Sequence, residues 1–115
     1  MGQNFEDLQV WQRAQSLAIQ VCQQMETCSN WGFRDQIIRS SISVPSNIAE
    51  GAERLSPKEF IQFLSYAKGS CGELRCQLLI GQNLKYFDLE QSEQMVRETR
   101  EISRMIWGLM QSLRS

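Results

Sequence analysis

The chain has 115 residues, of which 12 are basic and 13 acidic, giving a formal charge of −1, and it contains no histidine. This length holds one domain with a modest core, and near-neutrality leaves no overall positive field to draw the chain onto nucleic acid or anionic lipid. Without histidine the commonest general base, the usual triad member and the most frequent metal ligand are missing, so no enzyme is expected and no catalytic, cofactor or metal residue is assigned.

The first predicted helix runs from Asn4 or Phe5 to Glu26, with Leu8, Trp11, Ala14, Leu17, Ala18, Val21 and Met25 at helical spacing. Capping residues and a glycine between Thr27 and Gly32 then allow a tight connection to a second helix starting near Phe33 and reaching about Arg54. Pro45 falls inside it, so a kink is expected, with Ser40, Ser41, Ser43 and Ser46 available to bond backbone carbonyls freed there.

The third helix opens on SPKE at 56–59, where Ser56 caps, Pro57 takes the first helical position and Glu59 reaches back to the cap. Its seam of Phe60, Phe63, Leu64, Ala67, Cys71, Leu74 and Leu78 extends to about Leu84. DLEQ at 88–91 is a second capping box, and it opens a fourth helix with Met95, Thr99, Ile102, Ile106, Leu109 and Leu113 along its seam. Four amphipathic helices with short connections predict an all-α, antiparallel up-and-down four-helix bundle, a single domain over 1–115.

Some features exceed what such a bundle needs. Leu89, Val96 and Trp107 on the fourth helix, with Ile61 and Leu79 on the third, form a second apolar stripe that reads either as a wide core face or as a subunit interface. Gly51, Gly69, Gly72 and Gly81 each cost up to about 1 kcal/mol relative to alanine inside a helix, which predicts close approach of a neighbour. Arg97, Arg100 and Arg104 lie on one side of the fourth helix, opposite its seam. They read as a phosphate-binding stripe or, with Glu93 and Glu101 beside them, as an ion-paired solvated face; no aromatic interleaving is expected among them. Cys22, Cys28, Cys71 and Cys76 lack zinc-site spacing, and with no secretory signal they are expected to be reduced thiols in a cytoplasmic protein. No apolar run reaches membrane-spanning length.

FEDLQVWQRAQSLA at 5–18, GFRDQIIRSSISVPSNIAEGAER at 32–54, SPKEFIQFLSYAKGSCGEL at 56–74 and LKYF at 84–87 resemble a bacterial four-helix bundle family. Its members include proteins encoded by intervening sequences within 23S ribosomal RNA genes, and relatives that are accessory proteins of diversity-generating retroelements. The resemblance implies a homopentameric barrel, with RNA or a reverse transcriptase as candidate partners, although this chain is slightly acidic where the accessory relatives are strongly basic. It places the family motif on Gln36, Arg39, Pro45, Asn47, Glu50, Gly51 and Arg54, then Ser56, Glu59, Phe60 and Gly69. Arg39, Asn47, Glu50 and Arg54 are thereby candidates for a polar partner surface; the alternative is local work, an i,i+4 ion pair and repair of backbone disturbed by Pro45.

Overall fold

The computed structural model describes residues 4–114. Four helices follow one another, α1 (Gln9–Gln24), α2 (Trp31–Ala52), α3 (Pro57–Asn83) and α4 (Leu89–Leu113), and no strand occurs among the described residues. Each packs most closely on its neighbours in sequence, α2 on α1 and α3, and α3 on α4, while α1 closes against α4. Short connections dictate this antiparallel order, and the result is a rod of about 44 × 20 × 20 Å.

The helix ends follow the capping chemistry. Asn30 accepts a hydrogen bond from the Phe33 amide at 3.1 Å, Ser56 from the Glu59 amide at 3.2 Å, and Asp88 from the Gln91 amide at 3.3 Å. Asn30 starts α2 two residues before the expected Phe33. The expected first helix is two elements: residues Phe5–Asp7 form a 3-10 turn, and Leu8, with φ −75° and ψ 124°, breaks it from α1. Phe5 packs edge-on against Trp11 at 5.1 Å and Gln12 donates to the Glu6 carbonyl at 2.8 Å, so the turn is anchored to α1 without continuing it.

Helix α3 ends in a paired backbone cap, with the Tyr86 amide donating to the Gly81 carbonyl at 2.9 Å and the Lys85 amide to the Gln82 carbonyl at 3.1 Å. The geometry needs a left-handed residue, and Lys85 supplies it at φ 63°. A side chain there is strained, so Lys85→Gly should stabilise the fold by about 0.5–1 kcal/mol, measured as a rise in the urea midpoint at unchanged slope.

Met25, Ile37, Ile48, Leu64, Leu74, Leu78, Met95, Ile102 and Ile106 are fully buried along the bundle axis. Pro45 is buried within one uninterrupted α2. The serines near it do not take up the carbonyl that proline deprives of a donor; Ser40 and Ser41 bond the carbonyls of Ile37 and Ile38 instead. Ser40 also donates to Gln77 Oε1, and the hydroxyls of Ser43 and Ser70 meet at 2.7 Å, so polar bonds cross the α2–α3 seam.

Two of the glycines sit at close approaches. A Cβ on Gly51 would stand 2.8 Å from Phe63 Cβ and 3.2 Å from the Phe60 carbonyl oxygen, and one on Gly81 would stand 2.6 Å from Phe87 and 2.8 Å from Phe33. Gly69 has nothing within 4 Å and Gly72 meets only the tip of Arg75 at 4.0 Å, so close packing does not explain those two.

Cys71 is fully buried, and its thiol bonds the Thr99 carbonyl at 3.1 Å. Burial pushes that thiol up to about 11 from the ordinary 9.0, against the opposing pull of Arg75 and Lys68. A raised folded-state value means the contribution is complete below pH 9 and is lost as pH climbs from 9 to 11. Cys71 should therefore resist a thiol reagent at pH 8 until the chain is unfolded, and Cys71→Ala should remove part of the destabilisation seen between pH 9 and 11.

Candidate functional site

The motif residues of α2 do not converge on one surface. Arg54 donates to Glu50 Oε2 at 2.7 Å, stands 4.0 Å from Glu59 Oε1, and lies over the Phe63 ring at 4.6 Å. It clamps the α2–α3 corner, just where Gly51 lets the two backbones close. Asn47 Nδ2 donates to the Ser43 carbonyl at 2.9 Å and to the Ser43 hydroxyl at 3.0 Å. Asn47 is thus engaged by its own helix, and Arg54 by the corner between α2 and α3. Arg39 lies about 20 Å back along α2 from its end at Ala52, where it lines a polar groove of about 500 Å³ with Asp35, Gln36 and Glu73.

The expected second apolar stripe is also divided. Val96 is only 7 % exposed and belongs to the core, and Ile61 is half-buried against that core. Leu79 remains exposed on α3 beside Ile80 and Cys76, on a shallow apolar patch. Leu89 and Trp107 are both exposed but stand about 27 Å apart on α4. A separate apolar groove of about 360 Å³ runs between α1 and α2, where exposed Ile19 and Ile42 flank Ala18, Cys22 and buried Pro45.

Arg97, Arg100 and Arg104 are all exposed. Arg104 pairs with Glu101 at 3.0 Å, whereas Arg97 and Arg100 have no acidic partner among the described residues. Glu98 is turned the other way, where it accepts from Arg13 Nη2 at 2.6 Å and Nε at 2.8 Å and ties α1 to α4. That bidentate bond holds Arg13 above its ordinary value.

Downstream of the arginine stripe, α3 and α4 enclose an open groove of about 840 Å³. Lys68 stands on one wall, Arg104, Trp107 and Arg114 on the other, with the hydroxyls of Ser65 and Ser103 between them and, among the described residues, no carboxylate in the lining. The indole is 46 % exposed, and the Arg114 guanidinium lies over it at 5.6 Å. An aromatic ring therefore stands among the cations of this groove, although none interleaves Arg97, Arg100 and Arg104 themselves. Part of the signal was legible, since Arg104, Trp107 and Arg114 fall within about 80° of one another at 100° per residue. Lys68 and Ser65 were not, because their place opposite Trp107 depends on the register of α3 against α4. Among the described residues no group of three or more Cys, Asp or Glu is placed to hold a metal ion, and no helix is long and apolar enough to cross a membrane.

A family model described as 23S rRNA-intervening sequence protein matches residues 6–108. No curated protein matches the sequence. Among solved structures, a protein of unknown function from the S23 ribosomal protein family of Bacteroides thetaiotaomicron superposes with a TM-score of 0.82 at 22 % identity, covering 88 % of this chain and 97 % of that one. At that identity the likeness speaks for the fold.

Proposed function

Since the chain belongs to the 23S rRNA-intervening sequence protein family, we propose that it is a non-enzymatic interaction protein that assembles with copies of itself into a closed ring, five copies being the number its sequence resemblance implies. One observation carries this reading: the bundle leaves two different apolar surfaces uncovered on different helices. Ile19 and Ile42 flank a groove between α1 and α2, and Leu79 and Ile80 stand out from α3. A ring needs two unlike, mutually fitting surfaces on each copy, whereas a twofold dimer needs only one that fits itself. The four cysteines are free thiols, in keeping with a reducing, cytoplasmic setting.

Sedimentation velocity tests this proposal. The unaltered chain should run as an assembly at micromolar concentration, and Leu79→Glu should shift it to a slower species of unchanged helicity, because a carboxylate would be buried without a partner. An unaltered chain that sediments as a monomer would remove the basis for this reading. A second reading, as an accessory that binds nucleic acid with or without a reverse transcriptase, is favoured by the carboxylate-free groove around Trp107.

A further inference from the structure

We infer that the α3–α4 groove is a binding site for single-stranded nucleic acid, in which a base stacks on Trp107 while Lys68, Arg104 and Arg114 meet the adjoining phosphates. The inference deepens the second reading above and does not depend on the ring.

Charge and shape select the ligand class. Lys68, Arg114 and Arg104, the last already paired with Glu101 at 3.0 Å, line the groove with two serine hydroxyls and, among the described residues, no carboxylate, so an anion gains there what a neutral or cationic ligand does not, although the chain as a whole carries −1. The half-exposed indole adds a flat, polarisable surface within reach of the same cations. Phosphate and aromatic ring together are the two parts of a nucleotide, and base-on-aromatic stacking with cations along the backbone is how unpaired strands are held without sequence preference. Ser65 and Ser103 make no hydrogen bond through their hydroxyls among the described residues, leaving them free for sugar or phosphate oxygens.

A chain of nucleotides is favoured over a free nucleotide because the positive path continues past the groove. Arg100 and Arg97 follow Arg104 on the same side of α4, both exposed and, among the described residues, both without an acidic partner. They extend the path by about 10 Å, further than one nucleotide bound at Trp107 can use. A duplex does not fit the chemistry, since its bases are already stacked and cannot reach the indole.

Fluorescence anisotropy with a labelled 12-nucleotide oligouridylate and the full chain, read across salt concentrations, tests this. Binding is expected at low salt. Lys68→Gln, Arg104→Gln and Arg114→Gln together should weaken it at least tenfold and flatten the salt dependence by about two in the log–log slope. Trp107→Leu should weaken it about fivefold or more and Trp107→Phe less than twofold, because the phenyl ring keeps a stacking face. Arg39→Gln, on another face, should change it less than twofold.

Sedimentation of the same variants keeps the two proposals apart, and each should retain the mass of the unaltered chain. The assignment is overturned by no binding at low salt, by a Trp107→Leu variant that binds as well as the parent, or by loss of binding that accompanies dissociation. It is equally overturned if a duplex of the same length binds as tightly, or if uridine monophosphate competes as well as the oligonucleotide.

Discussion

Gly51→Leu should destabilise the bundle by about 1–3 kcal/mol, enough to lower the thermal midpoint by several degrees. The reason is where the new side chain would begin. Its Cβ would lie 2.8 Å from Phe63 Cβ and 3.2 Å from the Phe60 carbonyl oxygen, atoms fixed to the backbone of α3 that no rotamer change can move. Gly81 is crowded by the ring atoms of Phe33 and Phe87, which can swing, so an alanine there should be the milder change. Gly69 has open space, and Gly69→Ala should raise stability by about 0.5–1 kcal/mol through helix propensity alone. Pro45→Ala should be tolerated, since it restores a donor for the Ser41 carbonyl while giving up some buried ring surface. If chemical denaturation ranks Gly51 and Gly69 substitutions as equal, close approach at the α2–α3 corner is not what the glycine is for.

Ile42→Glu and Leu79→Glu should each abolish the ring, yet when mixed in equal amounts they should form a 1:1 heterodimer and nothing larger. Each variant spoils one of the two proposed surfaces and leaves the other intact. The sound α3 ridge of the Ile42 variant can then seat in the sound α1–α2 groove of the Leu79 variant, and the two remaining faces, both charged, stop growth. Mass photometry or sedimentation equilibrium reads this directly. Restored rings, or two monomers that ignore each other, would mean that these surfaces do not face one another.

The bundle itself was largely legible because its signals are local. Ser56, Pro57 and Asp88 mark helix starts through chemistry within one turn, and the buried seam residues recur at helical spacing. The break at Leu8 was not, since Phe5, Leu8 and Trp11 fit a helical face whether or not the backbone is continuous there. The same limit governs the sites. Arg54 could be paired with Glu50 from their i,i+4 spacing, but its contact with the Phe63 ring depends on the α2–α3 turn. The burial of Val96 fits the core-face reading, which an angular offset on a helical wheel cannot select because it does not say how far the neighbouring helix reaches around it. Gly69 and Gly51 have the same propensity cost, and only packing distinguishes the one that is crowded from the one that is open.

Self-assembly is the central claim, and the absolute mass of the unaltered chain in solution tests it most directly. Size-exclusion chromatography with multi-angle light scattering at micromolar concentration should give five chain masses, constant on dilution to the low end of that range, as expected when each contact buries a large apolar area. One chain mass across the same range would contradict the account and leave Ile19, Ile42, Leu79 and Ile80 as ordinary exposed apolar residues.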